Sequence, residues 1–391
     1  MAVSAARTHP PSPGPEPRPA RWPWLGRVLV ALVVAGHLLF LVQVAGELTE
    51  TGYRPRLDFT VFWGAARLAL AGEAAAAFDW QVLERAQGVA PGGSIYYWYY
   101  PPHLHLLVVP FGLLPYLAAY GLFTFGGLVL FALALRRWSR SRAWVALGSP
   151  AVLFALVTGN VSLYWAAALL AACRLLGSPA RAGVLFAAMT AKPQLGLMIP
   201  VALGAAGAWR VVAWSAVWTA LIAAATLPVF GAGYWALFLE NLAGPAGNIA
   251  RQASLIPEMM TWYAFALRLG LPAAAALGLQ LAATLLAAWA VAVAWRRPDP
   301  PFRMAVLCLA IPLSTPYGFP YELVFAAAAA MFLVEGGRAR GRAGLGVVLL
   351  LWSLPLWWWF IPGLKPADYL APALGLVLAW LMLTGHGARA G

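Results

Sequence analysis

The chain has 391 residues, of which 62% are hydrophobic and only 10% charged, with 20 tryptophans; that balance excludes a soluble domain and indicates a polytopic membrane protein. The net charge of +13 rests on 26 basic residues, nearly all Arg, scattered singly or in short clusters between apolar runs. Without a continuous basic face they give no nucleic-acid-binding surface, and membrane topology accounts for them better. Cys173 and Cys308 both fall inside apolar segments, so neither a disulfide framework nor a Cys-based metal site is readable.

Residues 1–24 are rich in Pro and Arg and read as a disordered cytoplasmic tail. The apolar run that follows suits a retained span better than a cleaved signal. With about 20 apolar residues needed per crossing, twelve membrane segments are predicted. They lie at 26–46, 117–136, 143–157, 160–176, 182–191, 195–208, 211–230, 272–296, 302–314, 318–335, 343–361 and 366–384. Together they form one all-α integral membrane domain, 25–386, closed by a short cytoplasmic tail, 387–391. The shorter segments are expected to end inside a cavity walled by protein, where irregular backbone is tolerated.

Basic clusters near span ends set the orientation. With both termini cytoplasmic, the clusters around Arg27, Arg136, Arg174, Arg210, Arg296 and Arg338 all fall inside. Arg181 and Arg210 share that side only if the stretch between them is a hairpin, with A-K-P-Q (191–194) at its outward tip. Arg136 is inside only if residues 101–116 lie along the outer interface or re-enter, which makes 47–116 one long outer region with interfacial helices. That region holds Arg54, Arg56, Asp58 and Arg67, the block S-I-Y-Y-W-Y-Y-P-P from Ser94, and the pair His103/His105. Taken alone, the aromatic block reads as an interfacial belt. Further outer loops are expected at 231–271 and at S-T-P-Y-G-F-P-Y-E, Ser314 to Glu322.

The order D-F-x-V-F-W-x-A-A-R, W-Y-Y-P-P, L-L-P-Y, G-N-V-S-L, A-K-P-Q-L-G-L and T-P-Y-x-x-x-Y-E-L resembles glycosyltransferase family 87, the polyprenyl-phosphate-mannose-dependent mannosyltransferases of the GT-C superfamily. The resemblance spans about residues 55–330. It implies a GT-C-type multi-span helical bundle in the cell (inner) membrane, with its active site facing the outside or periplasm. It also implies a catalytic acid in the first outer loop, a polyprenyl-phosphate sugar as donor, and no nucleotide sugar. Residue by residue, the acid falls on Asp58, the lysine of the A-K-P-Q motif on Lys192, and the polar turn on Asn160 and Ser162. The last motif departs from the family pattern, with Pro320 and Glu322 where a second acid is expected near Tyr321.

The chemistry of such a transfer assigns the remaining candidates. A positioned carboxylate takes the acceptor proton, a role for Asp58 worth about 10²- to 10⁴-fold. Cations hold the departing phosphate, which points to Lys192 with Arg54, Arg56 and Gln194. Because a phosphodiester is already a good leaving group, one carboxylate suffices, which fits inversion. His103, His105, Tyr317, Tyr321, Glu322 and Asn160 are candidates for the sugar or acceptor pocket. The bland readings are interfacial anchoring for the tyrosines and helix capping for Asn160 and Ser162. A His pair at i and i+2 is a poor metal signature, so no metal or other cofactor is assigned. The expected partners are a polyprenyl-phosphate sugar, a glycolipid or glycan acceptor and the lipid bilayer. A secondary transporter would show matching halves with midplane ionisable groups; here the halves do not match and the polar residues gather in outer loops. A non-catalytic lipid-binding subunit would use the same cavity without needing Asp58.

Overall fold

The computed structural model describes residues 23–92, 96–243 and 253–385. The tails expected at 1–24 and 387–391 lie outside them, apart from Pro23 and Trp24. No strand occurs among the described residues, only one isolated bridge between Arg54 and Val89.

Helix α1 (Pro23–Thr51) is followed by a region of short elements: α2 (Asp58–Leu70), α3 (Trp80–Gln87) and α4 (Pro102–Val108), with 3-10 turns at Ala74–Phe78 and Val109–Leu113. Then come α5 (Tyr116–Trp138), α6 (Ala143–Leu147), α7 (Pro150–Thr158), α8 (Ser162–Arg174), α9 (Pro179–Met189) and α10 (Met198–Ala205). Next are α11 (Trp209–Ala225), α12 (Leu227–Phe230), α13 (Ala232–Ala243) and α14 (Trp262–Arg268). The last six are α15 (Ala273–Trp295), α16 (Pro300–Leu313), α17 (Leu323–Glu335), α18 (Gly341–Ser353), α19 (Trp357–Phe360) and α20 (Pro366–Thr384).

Among the described residues six helical stretches are long and apolar enough to cross a membrane: Trp24–Thr51, Tyr116–Trp138, Trp209–Phe230, Ala273–Trp295, Gly341–Phe360 and Pro366–Thr384. The other six predicted segments correspond to shorter helices, and the one at 143–157 is split into α6 and α7 by Gly148 and Ser149. Ser149 accepts from the Ala151 amide at 3.3 Å, and Pro150 at the first helical position has no N–H needing a partner, so α7 restarts there.

Burial separates the two kinds of helix. From Leu323 to Leu333 every side chain of α17 is buried, and five consecutive alanines, Ala326–Ala330, let α6, α7, α16 and α18 pack around it. The long helices instead leave apolar stripes uncovered: α15 exposes Leu277, Leu281, Leu285, Leu286 and Trp289. In water such a stripe would be an association hazard, whereas in a bilayer it is the solvated face. The protein is thus a membrane-embedded helical bundle built around α16 and α17.

Candidate active site

A cavity of about 1070 Å³ lies where the region between α1 and α5 meets α13, α14 and the turn 315–321. Asp58, the first residue of α2, faces it. Buried Phe59 and Phe62 fix α2 below the cavity, and the Thr60 hydroxyl donates to Pro55 O at 2.7 Å, closing the turn that leads into the helix. The helix N-terminus favours an anion at Asp58. Burial opposes it and is the main reason the Asp58 pKa is pushed up to about 6, against the lowering effects of the Lys192 charge and the Asn160 amide. One wall is aromatic: Tyr96, Tyr97, Tyr99 and Tyr100 from the extended strip before α4, with Tyr317, Phe319 and Tyr321 opposite. Leu242 and Leu277 line the cavity and are 46% and 48% exposed, and Leu277 belongs to the uncovered stripe of α15, so the cavity reaches the lipid-facing side.

Behind Asp58 sits a buried polar cluster drawn from three distant parts of the chain. Lys192 Nζ donates to Glu322 Oε1 at 2.6 Å, with the two residues 2% and 0% exposed. The ammonium also lies 4.7 Å from the centre of the Tyr321 ring and 3.5 Å from Asn160 Oδ1. That oxygen accepts two further bonds, from Ser162 N at 3.2 Å and Ser162 Oγ at 2.8 Å. The Asn160 side chain therefore holds the turn into α8, whose N-cap position is Val161, and the same bonds fix the amide's orientation. Its nitrogen makes no closed hydrogen bond to the protein, although the amide acts on both Asp58 and Tyr100. Glu322 Oε2 accepts from Phe319 N at 3.3 Å, which holds the turn before α17.

The remaining predicted residues divide sharply. Gln194, Tyr317 and Tyr321 line the cavity with Asp58. Lys192, expected at an outward tip, is instead packed inside the bundle and paired with Glu322, because an unpaired ammonium there would be too costly to desolvate. Arg54 and Arg56, expected near the donor phosphate, are not among the residues lining the cavity. Arg54 stacks 4.3 Å over Trp63 and donates to Gln87 O at 3.2 Å. Arg56 pairs with Glu84 at 3.0 Å and donates to the carbonyls of Ala90 and Gly92. Both brace the segment 84–92 against the start of α2. Arg67 lies 5.8 Å over Trp63.

His103 and His105 also lie outside the cavity lining, against the expectation of a sugar pocket. His105 joins α4 to α13 and α2, with Nδ1 2.6 Å from Tyr234 Oη and Nε2 2.8 Å from Ala65 O. His103 Nε2 is 3.2 Å from Thr190 Oγ1. Among the described residues no cluster of His, Cys, Asp or Glu suits a metal ion. The aromatic block was only half legible: Trp98 turns inward against His105 at 4.7 Å, while its tyrosine neighbours face the cavity. Tyr263 is a cavity residue that the sequence did not single out, and Tyr100 entered only as a member of the aromatic block and the W-Y-Y-P-P motif.

Comparison with protein families gives a match to glycosyltransferase family 87 over residues 98–316, more than half of the chain. No curated protein and no solved structure matches. The matched stretch includes Tyr99 and Tyr100 of the tyrosine wall, Asn160, Lys192 and Gln194, and stops six residues before Glu322; Asp58 lies ahead of it. An apolar bundle with six potential spans, a large cavity reaching its lipid-facing side and this match agree with one another, and the chain belongs to glycosyltransferase family 87.

Proposed function

We propose that the protein transfers a hexose, mannose by family resemblance, from a polyprenyl phosphate to a glycolipid or glycan acceptor. The reaction takes place on the outer or periplasmic face of the cell (inner) membrane, in a GT-C-type bundle of about twelve membrane segments with both termini cytoplasmic. The observation that carries this reading is Asp58: a carboxylate at the start of α2, open to a cavity that meets the lipid-facing surface at Leu242 and Leu277. A lipid-linked donor suits such a cavity, because its prenyl chain can stay in the bilayer while its sugar lies among Tyr97, Tyr317 and Tyr321, whose rings offer faces to the C–H groups of a pyranose.

In the proposed step the acceptor hydroxyl attacks the anomeric carbon from the side opposite the phosphate. The new C–O bond forms as the bond to the phosphate oxygen breaks, the acceptor proton passes to Asp58, and polyprenyl phosphate departs with the electron pair. No glycosyl-enzyme intermediate is required, and the anomeric configuration inverts.

The test is transfer from a radiolabelled polyprenyl-phosphate sugar by the reconstituted protein, wild type against Asp58→Asn. The variant is expected to bind donor and to lose about 10²- to 10⁴-fold in rate, the usual worth of a general base. A folded variant that binds donor and transfers at the wild-type rate overturns the reading.

A further inference from the structure

The charges around Asp58 do not balance if Lys192 is reserved for the donor. Two carboxylates, Asp58 and Glu322, share one lysine, and that lysine already donates to Glu322 at 2.6 Å in a site closed to solvent. Bringing a phosphate to Lys192 would place a third negative group against a single positive one, in surroundings that screen charge poorly. Meanwhile the lysine helps fix Asn160: Oδ1 takes Lys192 Nζ on one side and Ser162 N and Oγ on the other, so the amide cannot flip without breaking all three contacts. The buried amide nitrogen, with no closed hydrogen bond, is thereby left on the side of Asp58 and Tyr100.

We propose that Lys192 and Glu322 are positioning residues: their buried ion pair, acting through Asn160, orients the Asp58 carboxylate, and Lys192 keeps Glu322 as its partner and does not bind the donor phosphate. The inference rests on the reading of Asp58 as the base. It gives the A-K-P-Q lysine and the glutamate before α17 one joint task, although 130 residues separate them. Asn160 has one further task in this arrangement. An amide nitrogen carries two N–H groups; one serves Asp58 and the other is available to the hydroxyl that Asp58 deprotonates, holding it against the base.

Opposite charges make the proposal testable by sign. The groups that act on Asp58 or are acted on by it are Lys192, Asn160, Glu322, Tyr96, Tyr100 and Tyr321. Transfer needs the ionised carboxylate, so the wild-type rate falls on the acid side as pH drops through about 6. Lys192→Met removes the cation, leaves Glu322 facing Asp58, and moves that limb to higher pH. Glu322→Gln removes the competing anion, leaves Lys192 to Asp58, and moves it to lower pH.

The experiment measures kcat, donor KM and the pH profile of the full-length protein reconstituted in liposomes. It uses Lys192→Met, Glu322→Gln, the double variant Lys192→Met/Glu322→Leu and Asp58→Asn. Each single variant is expected to lose about ten- to a hundredfold in kcat, as for a misplaced catalytic group, with donor KM nearly unchanged and the two pH limbs displaced in opposite directions. The double variant is expected to lose less than the product of the singles, because neither Lys192 nor Glu322 is left behind without the other; it also remains a folded reference if a single variant does not fold. A tenfold or greater rise in donor KM for Lys192→Met with no change for Glu322→Gln assigns the lysine to the phosphate and overturns the inference. So do pH limbs that stay in place, or single losses that simply multiply in the double variant. An Asp58→Asn variant with full activity overturns instead the reading of the base on which the inference stands.

Discussion

Gly159 offers a stringent check on how the site is held. It ends α7 at φ +63° and precedes Asn160 directly. A β-carbon there would lie 2.5 Å from Phe59 Cβ and 2.9 Å from the Tyr120 ring. Gly159→Ala therefore carries two penalties, roughly 1–2 kcal/mol for a left-handed alanine and about 1–3 kcal/mol for overpacking against α2 and α5. Gly52→Ala is the matched control: its φ is +72° and nothing lies within 4 Å of the added carbon, so it bears the backbone penalty alone. The packing penalty falls on Phe59, the neighbour of Asp58, and on the residue before Asn160, so the two groups that must face each other are pushed apart. The assay is thermal unfolding of both variants in one detergent under one protocol, followed by sugar transfer. Gly159→Ala is expected to unfold well below Gly52→Ala and to lose most transfer activity, with Gly52→Ala close to wild type in rate. Equal unfolding midpoints, or full transfer by Gly159→Ala, would refute the claim that the α7–α8 turn is packed against the base.

Two further outcomes are expected. His105→Phe keeps a ring beside Trp98 but leaves Tyr234 Oη and Ala65 O without their partner, a loss of about 1–3 kcal/mol; unfolding should be easier while donor KM stays unchanged, and a raised KM would return His105 to the pocket. Gln194→Cys places a thiol on the cavity wall, so an impermeant thiol reagent should label it from outside in intact cells, and labelling from the cytoplasmic side alone would reverse the assigned orientation.

Hydropathy made the membrane class and the positions of the helices legible, because both follow from local composition. The pairing of charges was not, because it depends on which distant turns meet. Arg54 and Arg56 flank Asp58 in sequence, and proximity along the chain suggested a shared phosphate site. In the fold the two arginines turn to Gln87, Glu84 and the backbone near 90 and so hold the approach to α2. Lys192 was legible as an unusual cation but not as Glu322's partner. The histidine pair misled for a related reason: two imidazoles on a short Pro-flanked helix look chemical, yet in an apolar bundle their ring nitrogens serve to tie α4 to its neighbours.

The division of labour among cations follows from depth. Arg56 sits where two carbonyls and one carboxylate satisfy it, and Arg54, stacked over Trp63, donates to the Gln87 carbonyl; together they fix the loop that presents α2. Lys192 sits where solvent does not reach, and there a lone cation would be untenable without Glu322. Asp58 lies between these regimes, opposed by burial and favoured by the α2 N-terminus, Lys192 and Asn160. A carboxylate balanced in this way has a pKa just below neutrality, where a base is ionised at working pH and still takes up a proton readily. Shifting that balance needs no change to Asp58 itself, which is why substitutions at Lys192, Glu322 and Gly159 are expected to act on the same step.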